Sequence, residues 1–303
     1  MLEIIKAIIY GIVEGITEWL PISSTGHLIL VERLIPFKQT SEGFFDMFDV
    51  VIQLGAILAV VVLFWNKIWP FYLKKNKQPK KGGIVKSAKD PAVGNVALSM
   101  DAFWMWVKIV VACIPAVVYG LLFDDAVGEA FQKEIGSSGV TIQVIVVAVM
   151  LVVVGVLFIV IENWNKDRVP TTTKLSQLTY RDALIIGLCQ LVAAALPGTS
   201  RSGATILGAI MIGISRTVAA EFTFFLAIPV MFGASLLKLL KFGFAFTGME
   251  LACLLVGTVV SFIVSLFVLR FLMEYIKKHD FKVFGWYRIV LGIIVLLYFL
   301  VFA

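Results

Sequence analysis

The strongest constraint in this 303-residue chain is a series of long apolar segments separated by polar or basic loops. With 60% hydrophobic and 15% charged residues, and a mean hydropathy of +0.98, the chain is too apolar for a soluble domain. A helix needs roughly 20 apolar residues to cross about 30 Å of hydrocarbon. Six segments meet this length and predict spanning helices at residues 45–65, 103–123, 140–161, 218–240, 251–272 and 286–303.

The remaining composition narrows the possible functions. The formal charge is +6, but the basic residues are concentrated in the loops, as in membrane proteins, so a nucleic-acid partner is not expected. Glu3 stands where a cleavable signal would carry basic residues, so we expect the first segment to be retained. Cys113, Cys189 and Cys253 lie in separate apolar segments without metal-ligand spacing and are interpreted as packing residues.

Two further apolar regions are interrupted by proline and small polar residues. Each divides into two arms, at residues 4–20 and 27–35 in the first and 183–196 and 202–214 in the second. Most of these arms are too short to cross a bilayer comfortably at 1.5 Å per residue. We interpret both regions as re-entrant helical hairpins, which require protein or water around their non-helical turns. A pair of kinked or tightly paired spanning helices is the alternative.

The charges of the loops predict the orientation. The loop at 66–89 carries eight lysines and no acidic residue, and residues 163–181 and 270–288 are also basic, whereas 124–134 is acidic. Basic loops lie in the cytoplasm. The spans then alternate consistently only if the first hairpin opens to the outside and the second to the inside.

The two halves of the chain therefore contain the same elements in opposite orientations. We expect one integral membrane domain built from two inverted repeats, residues 1–162 with a hairpin at 1–36, and residues 183–303 with a hairpin at 183–214. The overall class is all-α. Superposing Gly11 on Gly187 also matches Pro21 with Pro197, Ser24 with Ser200, and Glu14 with Gln190. An inverted repeat predicts that the two hairpin tips meet near the middle of the membrane.

Two carboxylates precede the first turn. Glu14 and Glu18 are four residues apart and share one helical face, where burial in a membrane is costly without a compensating charge. Mg²⁺ or Ca²⁺ is the expected cofactor, because both ions take oxygen ligands and a substrate phosphate can complete their shell. Pairing with Arg201 alone, or protonated carboxyls, are the alternatives.

Both turns also carry groups suited to an anion. Residues 23–27 (SSTGH) and 199–202 (TSRS) predict the N-cap and first turn of a helix, where free N–H groups and the positive end of the dipole bind phosphate. The guanidinium of Arg201 suits bidentate phosphate recognition. The alternative for each hydroxyl is a capping role only. The predicted phosphate-binding residues are Ser23, Thr25, Gly26, Thr199, Ser200, Arg201 and Ser202.

A nucleophile and a base complete the set. Ser24 and His27 lie beside the carboxylates, and together these groups indicate phosphoryl transfer from a lipid carried in the membrane. We predict Ser24, His27, Glu18 and Arg201 as catalytic, and Glu14 and Glu18 as metal ligands. For His27, the alternative is a buried structural role. For the whole protein, the alternatives are a transporter or flippase for a phosphorylated lipid or other anion, and a purely structural subunit. His279 is given no role.

These residues resemble a known family. EGITEWLPISSTGH at residues 14–27 and PGTSRSGAT at 197–205 are similar to the two signature motifs of the bacterial undecaprenyl-pyrophosphate phosphatases, the bacitracin-resistance family, and QLGAI at 53–57 fits as well. The resemblance covers the whole chain. The motif residues implicated in that family correspond to Glu14, Glu18, Ser24, Thr25, His27, Ser200 and Arg201.

The resemblance implies an activity and a location. It implies removal of the terminal phosphate of undecaprenyl pyrophosphate, which yields the lipid carrier for peptidoglycan, with a divalent cation and a site open to the outer face of the plasma membrane. We expect Ser24 to attack phosphorus with His27 as its base, and direct attack by activated water is the competing route. The expected partners are the prenyl pyrophosphate and membrane lipids, and a homodimer remains open.

Overall fold

The protein is predominantly helical. A computed structural model describes residues 1–73, 91–93, 96–123, 127, 130, 131, 133 and 141–302. The α-helices delimited within these ranges are α1 (Leu2–Thr17), α2 (Ser24–Leu34), α3 (Phe44–Ile68), α4 (Met100–Leu122), α5 (Ile142–Trp164), α6 (Tyr180–Ala195), α7 (Arg201–Met211), α8 (Arg216–Phe242), α9 (Gly248–Tyr275) and α10 (Lys282–Phe302).

Six of these helices confirm the predicted spans. α3, α4, α5, α8, α9 and α10 are long and apolar enough to cross a membrane, and each overlaps one predicted segment. Several extend a few residues beyond the apolar run, because polar residues such as Arg216 in the first turn of α8 and Glu274 in the last turn of α9 are also helical. On α9, exposed apolar side chains recur every four residues at Leu255, Val259, Ile263, Phe267 and Phe271, and such a stripe suits contact with lipid.

The all-α prediction is confirmed, with a small sheet that was not predicted between α3 and α4. Three short strands, β1 (Phe71–Leu73), β2 (Ala92–Val93) and β3 (Val96–Leu98), form an antiparallel sheet in the order β1-β3-β2. The predicted lysine-rich loop also begins later than expected, because α3 continues to Ile68. Residues 74–89 of that loop lie outside the described residues. Aromatic and β-branched residues such as Phe71, Tyr72 and Val96 favour this pairing.

The two interrupted regions form two helical pairs of matching size. α1 and α2 contain 16 and 11 residues, and α6 and α7 also contain 16 and 11 residues. At 1.5 Å per residue these lengths correspond to about 24 Å and about 16 Å. None of the four is among the six helices long and apolar enough to span. Residues 18–23 and 196–200 connect the helices within each pair.

Each pair packs against helices of the other half. α1 lies against α9, and α6 lies against α4, while α3 packs on α8 and α5 on α10. Gly11 and Gly187 permit the first two contacts, because a Cβ atom there would lie 2.6 Å from the carbonyl oxygen of Gly257 and 2.4 Å from that of Ala112. Trp19, at the first turn, is fully buried and meets Phe224 edge to face.

Candidate active site

The two turns have the same local conformation. Ser23 and Ser200 are the N-caps of α2 and α7, and their backbone φ angles are +73° and +70°, which are rare for residues with side chains. The Ser23 hydroxyl accepts the Gly26 N–H at 3.4 Å, and the Ser200 hydroxyl accepts the Gly203 N–H at 3.2 Å. The predicted caps are therefore confirmed. Each caps a helix whose N-terminus lies at a turn.

An ion pair joins the two turns. Nη2 of Arg201 donates to Oε1 of Glu18 at 2.7 Å, and both side chains are largely buried. Nη1 of Arg201 donates to the Thr223 carbonyl at 3.2 Å, and the Ser202 hydroxyl donates to the backbone carbonyl of Glu18 at 3.2 Å. The contacts of Arg201 and Ser202 with Glu18 bring the two turns together, although these residues are more than 180 positions apart in the chain.

Ser24 is held by the same carboxylate. Its hydroxyl donates to Oε2 of Glu18 at 3.1 Å, while Oε1 of Glu18 binds Arg201. A hydroxyl that donates to a carboxylate has a proton acceptor already in place, which is the arrangement of an activated nucleophile. Glu18 thus contacts both the candidate nucleophile and the candidate phosphate-binding arginine.

His27 lies in the same turn but has other partners. Its Nδ1 lies 2.7 Å from the Ser23 carbonyl oxygen, and its Nε2 lies 2.7 Å from the Tyr287 hydroxyl, with the two rings stacked. Because a carbonyl can only accept, Nδ1 is assigned the proton and Nε2 accepts from Tyr287. The role of His27 as the base for Ser24 stays a prediction, and Glu18 is the group that Ser24 contacts.

Glu14 is the least satisfied polar group of the site. It is fully buried, and neither carboxylate oxygen has a hydrogen-bond partner among the described residues. Two buried oxygens without donors fit a cation that takes oxygen ligands. Within the described part of the chain, no group of three or more His, Cys, Asp or Glu side chains is arranged to hold a metal. A site with few protein carboxylates, completed by substrate phosphate, fits Mg²⁺ in particular.

The remaining predicted phosphate-binding residues differ in whether their hydrogen-bond donors already have a partner. Thr199 is buried, and its hydroxyl has no partner among the described residues, so it is free to donate. The Ser200 hydroxyl already lies 3.2 Å from that of Ser202. Thr25 and Gly26 lie in the first turn of α2, where the Gly26 N–H already donates to the Ser23 hydroxyl.

Sequence reasoning missed Arg288, which connects both turns. It is fully buried in α10 and donates to the carbonyl oxygens of Pro21 at 3.2 Å, Gly198 at 2.8 Å and Thr199 at 3.0 Å. Its hydrogen bonds therefore hold the two turns in place relative to each other. Its signal in the sequence was a charged residue near the start of the last apolar segment, since such residues are rare in membrane helices without a function. Tyr287, beside it, was missed as well.

Comparisons with known proteins agree over nearly the whole chain. The family model described as "Bacitracin resistance protein BacA" matches residues 7–294. Relatives named undecaprenyl-diphosphatase include one from Desulfitobacterium hafniense, 57% identical over 99% of this chain and 97% of its own length. Others are from Enterococcus faecalis, 56% identical over 98% and 97%, and Acetivibrio thermocellus, 55% identical over 99% of each chain. The chain belongs to the bacitracin resistance protein BacA family.

Proposed function

We propose that this protein is an integral membrane phosphatase that converts undecaprenyl pyrophosphate to undecaprenyl phosphate and inorganic phosphate. The observation that carries the proposal is the contact of one carboxylate, Glu18, with both the Ser24 hydroxyl and the Arg201 guanidinium. This combination supplies a nucleophile, a proton acceptor and a phosphate-binding cation. The names of the relatives supply the substrate. The product serves as the lipid carrier for peptidoglycan, and its regeneration supports bacitracin resistance.

The reaction proceeds in two displacements. Ser24 Oγ attacks the terminal phosphorus while its proton passes to Glu18, and the bond from that phosphorus to the bridging oxygen breaks, releasing undecaprenyl phosphate. Water then attacks the phosphoserine, which releases inorganic phosphate and restores the hydroxyl. His27 is the second candidate base, for this water. Arg201 and the N–H groups of both turns neutralise charge that develops on the phosphoryl oxygens.

A divalent cation fits the carboxylate end of the site. Glu14 would hold it, since its two buried oxygens have no partner among the described residues, and Glu18 lies one turn away. When bound, Mg²⁺ or Ca²⁺ supplies charge neutralisation for the pyrophosphate oxygens. The protein side chains position the phosphate: Arg201 binds an oxygen directly, and Thr199 offers a free hydroxyl.

The function is tested by phosphate release. Purified protein in detergent, given a prenyl pyrophosphate with Mg²⁺ or Ca²⁺, is expected to release inorganic phosphate, to stop with a chelator, and to recover when metal is restored. The prenyl monophosphate is the matched control and should release none. Binding of the lipid without any release in the presence of metal would instead favour a transporter or flippase.

We further propose that the two halves form an inverted repeat with two re-entrant hairpins in the bacterial plasma membrane. Three observations support this: the equal helix lengths of the pairs, the positive φ angles of Ser23 and Ser200, and the reciprocal packing of α1 on α9 and of α6 on α4. Because basic loops lie in the cytoplasm, we expect the first hairpin to open toward the opposite, outer face of the membrane. Pyrophosphate then reaches the site from that face.

The orientation is tested by labelling single cysteines in intact cells with a reagent that cannot cross the membrane. After replacement of the native cysteines, Lys38→Cys beside the first hairpin is expected to react, and Thr173→Cys before the second is expected to react only after lysis. Both positions are exposed. Labelling of both from the same side contradicts the arrangement.

A further inference from the structure

A third carboxylate lies against the catalytic face of α1. Tyr10, Glu14 and Glu18 recur every four residues and share that face, and the charge of Asp49 on α3 interacts with all three. The Tyr10 ring meets the Phe45 ring at 5.2 Å, one turn before Asp49 on α3. Glu14 on α1 and Asp49 on α3 each lie one turn beyond this aromatic contact, and each is within range of the other's charge.

Three of the four carboxylate oxygens of Glu14 and Asp49 are left without a partner in the part of the chain that the structure describes. Both Glu14 oxygens and Oδ1 of Asp49 are buried without a hydrogen-bond partner among the described residues. The two oxygens of Glu18 are occupied by Arg201 and Ser24. Two facing buried carboxylates repel each other unless a positive charge lies between them.

We propose that the divalent cation of the site binds between Glu14 and Asp49, with Glu18 reserved for Ser24 and Arg201. This rests on the proposed phosphatase function, and it replaces Glu18 by Asp49 as the second protein ligand. One carboxylate from each of two packed helices, with water and a pyrophosphate oxygen, gives the oxygen-rich shell that Mg²⁺ and Ca²⁺ take. It also separates the metal ligands from the proton acceptor, so that one carboxylate does not serve both purposes.

The charges around Asp49 leave room for a cation. Glu32 and Asp46 act on it as further negative groups, and Lys238 acts as a positive one. Lys238 is the competing explanation, because it could itself balance Asp49 without a metal. Arg201 acts on Glu14, but its guanidinium donates to Glu18 and Thr223. The two explanations predict different effects of removing Lys238.

The test measures the binding of Mn²⁺ to the purified full-length protein without lipid, by electron paramagnetic resonance. Glu14→Gln and Asp49→Asn are each expected to weaken binding about tenfold or more, because even outer-shell changes cost about 10–100-fold. Asp46→Asn, one turn away and exposed, removes the same charge and should leave the affinity within about twofold. Asp49→Glu keeps a carboxylate and should retain binding.

The outcomes separate this inference from the proposed function. Wild-type affinity in a folded Asp49→Asn protein overturns the inference, and so does no wild-type binding up to about 10 mM Mn²⁺, beyond the weakest protein Ca²⁺ sites. A Lys238→Gln variant that loses binding as Asp49→Asn does also overturns it, because removal of a competing cation should preserve or strengthen binding. By contrast, a wild-type protein that shows no metal-dependent phosphate release refutes the phosphatase function, even if the variants bind Mn²⁺ as expected.

Discussion

Replacing Glu18 by Gln is expected to lower kcat by about 10²–10⁴-fold, the usual contribution of a general base. Gln keeps the size of the side chain but cannot accept the proton of Ser24, whose hydroxyl lies 3.1 Å from the carboxylate. It also leaves Arg201 without its ion-pair partner. The measurement is steady-state phosphate release by the purified variant, with thermal unfolding to confirm that the protein is folded.

Two further variants show whether Glu18 acts through Ser24. Ser24→Ala should lose a similar factor, and the double variant should be no worse than the worse single one, because groups that act as a unit are not additive. His27→Gln should cost less, since His27 contacts Ser23 and Tyr287. If instead His27→Gln loses kcat by the factor expected for a general base while Glu18→Gln stays active, His27 is the base. Substantial turnover by Ser24→Ala would favour direct attack by water.

Replacing Arg288 by Met is expected to lower the free energy of unfolding by about 3 kcal/mol or more, because each buried carbonyl left unpaired costs about 1–3 kcal/mol. Three carbonyls of the two turns lose their donor, those of Pro21, Gly198 and Thr199. Because the guanidinium holds both turns, kcat should fall by about 10²-fold, as expected for a misplacement of about 1 Å. Thermal unfolding and phosphate release measure the two effects.

The controls for Arg288 use other cations. Arg288→Lys should be intermediate, since a single ammonium does not reach several carbonyls as a planar guanidinium does. Arg270→Met removes an exposed arginine near the end of α9 and should leave both stability and kcat near the wild-type values. An Arg288→Met protein as stable and as active as the wild type would show that the turns hold their positions without it.

Local patterns in the sequence were enough to predict the spanning helices of this fold and the caps of α2 and α7. The six spans follow from uninterrupted apolar runs, since no other local structure satisfies the backbone of such segments in a membrane. The caps at Ser23 and Ser200 follow from short hydroxyl side chains before a helical run. The strands between α3 and α4 were not predicted, because they are only two or three residues long and adjoin a loop rich in lysine.

The sequence by itself determined which residues are chemically able to act: Glu14, Glu18, Ser24, His27 and Arg201 are polar groups in apolar surroundings. Only the tertiary structure decided their partners. Ser24 meets Glu18, and His27 meets Tyr287. Arg288 joins the two turns, although it is 267 residues from Pro21 and 90 residues from Gly198. Such contacts depend on how helices distant in sequence pack, and the spacing of residues along one helix carries no information about the neighbour that faces it.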